Sequence, residues 1–204
     1  MFVTVEGIEG SGKTTLLSGL AERLRAAGRN VLVTREPGGT PAGDAIRGLF
    51  LDERLKIGAM TEALLVNAAR AQHVEDVIRP ALVAGTTVLC DRFVDSTYAY
   101  QGYGRGLDLA ALRAMCDAAT GGLSPDLTLL LDVSVAVSRA RTRERGGSDR
   151  VESESDRFHE HVRRGFLDVA QEPRHCVLDG TLQPQALLDR ALRELEHRAR
   201  RNPA

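Results

Sequence analysis

Cysteine, lysine and aromatic residues are all scarce in this chain. The three cysteines, Cys90, Cys116 and Cys176, are odd in number and far apart, and none forms a CxxC pair. That excludes a disulfide framework and a zinc ribbon, and it predicts a reducing, cytoplasmic setting. There is no apolar run of about eighteen residues, and no basic leader precedes the apolar stretch Met1–Val5; the expectation is a chain that is neither exported nor membrane-spanning. Net charge is missing as well, since 27 Lys plus Arg oppose 28 Asp plus Glu. Such a chain has no bulk attraction for nucleic acid or for an anionic membrane, so any anion it binds must be held by a local arrangement.

What is present gains meaning from these shortages. The 204 residues suffice for one domain of ordinary size, able to remove about 70% of its unfolded surface from water without disulfides or a structural metal. Among 27 basic residues only Lys13 and Lys56 are lysine, so a lysine here is informative and an arginine much less so. All three tyrosines, Tyr98, Tyr100 and Tyr103, fall within six residues. That cluster calls for a reason.

Short apolar runs at Phe2–Val5, Val31–Thr34, Thr87–Cys90, Leu127–Leu131 and Cys176–Leu178 alternate with segments of helical period. The helical segments are 13–27, 42–51, 60–84, 109–119, 135–145, 154–170 and 184–200. Gly28, Gly85 and Gly121 follow three of them at positions suited to left-handed helix ends. The runs are nearly continuous in apolar residues, which predicts strands covered on both faces. The expected fold is α/β, a parallel sheet of about five strands with helices on both faces, in a single domain over 1–204. The basic tail Arg198–Arg201 reads as a solvated helix end.

The strongest chemical signal is Gly7-Ile8-Glu9-Gly10-Ser11-Gly12-Lys13-Thr14, which fits GxxxxGK[ST] between the first strand and the first helix. Glycines let the backbone curl until several N–H groups point inward, and the helix sets its positive end under the same spot, so the loop makes a nest for phosphates. Lys13 can reach the β and γ phosphates, and the Thr14 hydroxyl can ligate magnesium. This motif alone leaves motors, GTPases, transport ATPases and kinases open. An NKxD guanine-reading motif is absent, which speaks against a GTPase.

Further segments narrow the choice. The runs ending in Asp91 and Asp132 each place an acid where a magnesium-side carboxylate sits, and Arg92 follows the first at once. Arg139, Arg141, Arg143 and Arg145 are closed by Gly146-Gly147; on a helix Arg139 pairs with Arg143 and Arg141 with Arg145, so one set can face a nucleotide, as a lid over about 139–152. Thr34-Arg35-Glu36-Pro37-Gly38-Gly39-Thr40 turns at the same sheet edge, and Val66 and Arg70 share a helix face. His159 and His161 are two apart on a helix and cannot converge on one metal, and His175 beside Cys176 offers no better site.

The ordered set GIEGSGKTT at 7–15, TREPGGT at 34–40, AIR at 45–47, AARAQ at 68–72, DRFVDSTYAYQGYGRG at 91–106, PDLTLLLDV at 125–133 and RARTRERGGSDRVE at 139–152 resembles the thymidylate kinases, in the bacterial variety whose lid arginines supply the charge next to the γ-phosphate. The resemblance implies the P-loop nucleoside monophosphate kinase fold and transfer of the γ-phosphoryl group of ATP to dTMP. ATP would lie on Gly7 through Thr15, with adenine between a lid arginine such as Arg141 and the Asp179-Gly180-Thr181 loop. For dTMP the resemblance implies Arg70 and Gln101 on the base, Thr97 and Tyr100 along the sugar, with Tyr100 against C2′ explaining the tyrosine cluster, and Ser96 among the residues that bind the acceptor. Arg92, Arg47 and the Glu36-Pro37 turn would hold its phosphate. Glu9 and Asp91 would organise magnesium with Thr14, partly through water. One departure stands out: the position four before the base-reading arginine, aromatic in the family, is Val66 here, so a stacking contact worth roughly 1–3 kcal/mol per base elsewhere is expected to be missing.

The charges then imply a mechanism. A nucleoside monophosphate is mostly dianionic at neutral pH, so its attacking oxygen needs no general base. The remaining obstacle is repulsion between two polyanions, to be offset by Lys13, Arg92, magnesium and either Arg145 or Arg141. The nearest rival is a P-loop kinase for another small phosphate acceptor, and the rival of a different class is a regulatory ATPase without an acceptor. The family also implies a homodimer through the long 60–84 helix, with neither nucleic acid nor membrane as partner.

Overall fold

The computed structural model describes residues 1–146 and 149–201; Gly147 and Ser148 of the expected lid lie outside the described residues. Five strands are present: β1 (Phe2–Glu6), β2 (Val31–Arg35), β3 (Thr87–Asp91), β4 (Leu127–Asp132) and β5 (His175–Asp179). They pair in parallel throughout, in the order β2-β3-β1-β4-β5. Every residue of β1 is buried, as expected of a central strand in a parallel sheet. The edge strands differ from the expectation of full coverage: Val33 of β2 is 41% exposed and Val177 of β5 48%, because an edge strand has a neighbour on one side only.

The main helices are α1 (Lys13–Ala26), α2 (Pro41–Leu51), α3 (Ala59–His73), α4 (Arg79–Val83), α5 (Val94–Thr97), α6 (Leu109–Thr120), α7 (Val135–Arg145), α8 (Asp156–Val169) and α9 (Pro184–Arg201). Side-chain period decides which face each covers. Val3 and Val5 point to the α1 and α9 layer, where Leu16, Leu20, Ala191 and Leu195 form one core. Phe2 points the other way, to Val74, Ile78, Phe93 and Cys116 beneath α3 and α6. By the same alternation Thr4 and Glu6 face the second layer. Gly28, Gly85 and Gly121 take positive φ at 76°, 74° and 57°, as expected at helix ends.

Two helical readings need correction. The 60–84 segment is interrupted by a π-helical turn at Val74–Ile78 before α4. The tyrosine segment, which lies between the expected helices, is itself helical: α5 runs directly into a π-helix over Tyr98–Gly104. Period arguments fail there, because a π-helix advances its side chains at a different angle and the segment holds two glycines.

Candidate active site

All five strands end at one edge, so the segments after β1, β2 and β3 share the crevice where open α/β sheets bind ligands. The loop after β1 is shaped by its glycines. Gly7 sits at φ 138° with a would-be Cβ only 2.5 Å from Leu131 O, and Gly10 at φ 68° with one 2.8 Å from Ser138 O. No other residue fits either place without a shift. Side chains cap α2, α6, α7 and α8, through Thr40, Asp108, Ser134 and Ser155. By contrast α1 opens on Gly12 with no side-chain cap and no acid in its first turn. Its first N–H groups and positive dipole end are therefore available to an anion. Lys13 Nζ donates to Gly7 O at 3.1 Å and to Ile8 O at 3.0 Å.

Burial pulls the Lys13 ammonium down to about 8, and Arg92 acts in the same direction. The sign gives a testable pH dependence. The charge is present below that value and lost as pH rises through it, so kcat/KM for ATP, which reports the free enzyme, should fall above about pH 8. Phosphate oxygens beside Lys13 favour its charged form, which moves the limb in kcat to higher pH. A kcat/KM that stays level through pH 10 would show that Lys13 does not meet the triphosphate.

A cavity of about 400 Å³ extends from this loop. Glu9, Gly10, Gly12, Lys13, Thr14, Thr15, Glu36, Pro37, Arg47, Val66, Arg70, Asp91, Arg92, Ser96, Thr97, Tyr100, Gln101 and Arg145 all line it. The structure thus gathers most of the expected site from six separate stretches. Gly7, Ile8 and Ser11 support the loop from behind, with Ile8 in the core under α8.

Arg92 is the hub of the charged end. Its Nη1 donates to Gly7 O at 3.0 Å and Ser96 Oγ at 3.2 Å, and its Nη2 to Glu9 Oε1 at 2.9 Å and Tyr100 OH at 3.2 Å. Tyr100 donates to the same Glu9 oxygen at 2.6 Å. Burial pushes the Glu9 carboxyl up, but Arg92, Lys13 and Tyr100 pull harder, and the net direction is down. Glu9 is therefore a carboxylate. Burial pulls the Arg47 guanidinium down, and Arg35 and Arg92 add to it by repulsion, so these three define a positive wall suited to a phosphate. Asp91 Oδ1 and Ser11 Oγ are buried without a hydrogen-bond partner. With Thr14, Asp91 presents the hard oxygen donors that magnesium takes alongside substrate phosphates. Among the described residues no group of three or more His, Cys, Asp or Glu could hold a metal by itself.

The far wall is apolar with a few aimed polar groups. Val66 and Arg70 of α3 lie there with Thr97 and Gln101. Arg70 is deeply committed to the protein: Nε donates to Glu36 Oε2 at 2.8 Å, Nη1 to Asn67 Oδ1 at 2.9 Å and Thr97 Oγ1 at 3.0 Å, and Nη2 to Phe93 O at 3.0 Å. Glu36 also meets His73 Nδ1 at 3.1 Å. Phe50 of α2 also lines the cavity, with the Arg150 guanidinium 5.1 Å from its ring centroid. Of the tyrosines only Tyr100 lines the cavity. Tyr103 packs over Gly165, whose would-be Cβ falls 2.7 Å from its ring, and Tyr98 lies under Arg113. The sugar-side explanation therefore covers one tyrosine of three.

The arginines of α7 meet different partners. Arg139 donates to Asp156 Oδ1 at 2.8 Å and to the Glu152 and Glu154 carbonyls, so it ties the segment together. Arg141 Nη1 donates to Gly10 O at 3.2 Å and Gly180 O at 3.0 Å, joining the phosphate loop to the loop carrying Thr181. Arg145 lines the cavity and pairs with Glu152. Asp132, expected as a second magnesium-side acid, is instead held by Arg163 at 2.7 and 2.9 Å.

Several contributors escaped the sequence reading. Glu62, 1% exposed, ties Gln101, Arg105 and Arg150. His159 brings Nδ1 to 3.6 Å from Glu9 Oε2. Glu6, wholly buried, accepts from Phe93 N at 2.7 Å and from Ser96 Oγ at 2.6 Å; burial, with Asp95 adding to it, pushes its carboxyl up to about 8. An acid closing the first strand, directly before a tight glycine, was the available signal.

The glycine loop with Lys13, the positive wall and the wall carrying Val66, Phe50 and Arg70 share one cavity on a sheet of this order. That arrangement defines the P-loop nucleoside monophosphate kinases. A family model described as Thymidylate kinase matches residues 5–191. Over 183 residues the chain is 54% identical to the thymidylate kinase of Deinococcus radiodurans, with 89% of each chain covered. Over 206 residues it is 53% identical to that of Pseudomonas fluorescens, with 98% of each covered. The crystal structure of thymidylate kinase from Ehrlichia chaffeensis matches with a TM-score of 0.79 at 33% identity, covering 96% of this chain and 98% of that one. The chain belongs to the thymidylate kinase family.

Proposed function

We propose that the cavity holds ATP and dTMP end to end and that the chain transfers the γ-phosphoryl group between them, giving dTDP and ADP. The observation that carries this reading is the continuity of the cavity from Lys13 and Thr14, past Arg92 and Arg47, to Val66, Phe50, Arg70 and Gln101. The acceptor oxygen is already ionised at neutral pH, so the residues orient and neutralise instead of removing a proton. Lys13 and the first turn of α1 bind the donor phosphates. Arg92 and Arg47 hold the acceptor phosphate, Tyr100 sits against the sugar, and Arg70, Gln101 and Val66 receive the base. Arg145 reaches the transferred group from the 139–152 lid, while Arg141 and Thr181 serve the adenine side. Magnesium, held by Thr14 and by Asp91 and Glu9 through water, would supply charge neutralisation between the phosphates.

The test is ADP formation across a panel of monophosphates. Turnover with dTMP should exceed that with ribothymidine, cytidine and adenosine monophosphates by orders of magnitude. ADP release that no acceptor accelerates would point to a regulatory ATPase. Another monophosphate outrunning dTMP would reassign the base pocket.

A homodimer fits the outer face of α2 and α3, where Leu49, Met60 and Leu64 are 50%, 48% and 55% exposed. Sedimentation at micromolar concentration should give twice the chain mass of 22.1 kDa, and a monomer would assign that face elsewhere. No helix among the described residues is long and apolar enough to cross a membrane.

A further inference from the structure

We propose that Glu6 is a positioning residue for the transfer, holding Arg92 in its working backbone conformation through the Phe93 peptide. The proposal rests on the reading of Arg92 as the contact to the acceptor phosphate. Among the described residues Arg92 is the one non-glycine with positive φ, at 72°. An L-residue there is strained and persists only where its surroundings over-determine it.

The surroundings here converge on the residue that follows. Phe93 N donates to Glu6 Oε1 at 2.7 Å, and Phe93 O accepts from Arg70 Nη2 at 3.0 Å. Both polar groups of that peptide residue are thus fixed by side chains, one on β1 and one on α3. The second Glu6 oxygen, Oε2, accepts from Ser96 Oγ at 2.6 Å, and Ser96 Oγ in turn receives Arg92 Nη1 at 3.2 Å. One carboxyl therefore holds the Arg92 turn at its backbone and touches its guanidinium at one remove. On the other side Arg92 N donates to Val5 O at 3.0 Å, which extends the β1 pairing up to the strained residue. Asp95 is held separately by Arg174 at 2.6 and 2.7 Å. The turn keeps that anchor when Glu6 is changed, so loss of Glu6 frees Arg92 without freeing the whole segment.

Glu6 has no exposed surface and does not line the cavity, so it acts through Arg92 and not on substrate. The Arg70 bond to Phe93 O means that the base-side and phosphate-side arginines share one peptide residue. Displacement of the Phe93 peptide should accordingly be felt at both ends of the acceptor and not at the donor.

Three variants test this: Glu6→Leu, Glu6→Gln and Arg92→Met, with kcat and both KM values measured below the melting temperature of each. Glu6→Leu should lower kcat by about 10²-fold, the scale of a misplacement of about 1 Å, and raise KM for dTMP several-fold while leaving KM for ATP within about twofold. Glu6→Gln retains an oxygen that accepts from Phe93 N, so it should stay within about fivefold of the parent kcat. Adding Glu6→Leu to Arg92→Met should cost little more, since both act through one guanidinium. The proposal is overturned if Glu6→Leu and Glu6→Gln differ only in melting temperature, or if KM for ATP moves as much as KM for dTMP. If Glu6→Leu fails to fold, Glu6→Asp, which keeps a carboxyl but withdraws it from Phe93 N, must show the same loss of kcat, and parent-like turnover overturns it. Near-parent activity of Arg92→Met would instead defeat the reading of Arg92 itself.

Discussion

Replacing Lys13 by alanine lowers kcat by about three orders of magnitude or more while the fold survives. The magnitude follows from what is removed: a preorganised charge in a site shielded from water, where a single lost donor typically costs 10²- to 10³-fold and a full cation more. The fold survives because Lys13 is an expensive group to bury, and its ammonium is already pulled down to about 8 by that burial. Its two bonds, to Gly7 O and Ile8 O, and its attraction to Asp91, Glu9 and Glu6 are given up against that burial cost. The expected change in Tm is therefore a few degrees in a domain of this size. Stopped-time assays of dTDP formation together with a thermal melt check both halves. Turnover within tenfold of the parent would remove Lys13 from the transfer step.

Arg145→Ala should cost about 10²- to 10³-fold in kcat with modest changes in either KM, whereas Arg141→Ala should raise KM for ATP by about tenfold and spare kcat. The two arginines are four apart on α7 and share a face, but they meet different partners. Arg145 projects into the cavity, and Glu152 there takes its guanidinium. Arg141 is bound by two backbone carbonyls, Gly10 O and Gly180 O, at the junction expected to flank adenine. An arginine that stabilises the in-flight group shows itself in kcat, and one that stabilises the donor in both ground and transition states shows itself in KM. Steady-state kinetics with ATP and dTMP varied separately distinguish them, and the opposite pattern would exchange the two assignments.

Much of this site could be read before any fold was known, and the reason is visible in particular residues. The strand β1, the loop from Gly7 to Gly12 and the start of α1 are one contiguous stretch in which glycine φ angles, a lysine and a hydroxyl residue specify the geometry locally. Arg92 and Asp91 could be placed because they end an apolar run beside that stretch. The pairing of Arg141 with Arg145 on one side of α7 and Arg139 with Arg143 on the other followed from helical period alone. Asp132 failed the same logic: an acid at a strand end looks like Asp91 in sequence, and only the approach of Arg163 from α8 assigns it to an ion pair. The tyrosines failed for another reason, since the π-helical backbone of 98–104 sends Tyr98, Tyr100 and Tyr103 to three different neighbours.

By itself the sequence determined the five strands, the phosphate nest, the capping glycines and the family, because each depends on spacing within a few residues or on motifs in fixed order. The tertiary structure alone decided that Phe50 of α2 joins α3 at the cavity wall, that Glu62 ties α3 to Arg105 and Arg150, and that Glu6 meets the Phe93 peptide from 87 positions away. A buried carboxyl must find donors to offset its desolvation. Which donors those are is set by how strands and helices stack, and nothing in the local chain encodes it.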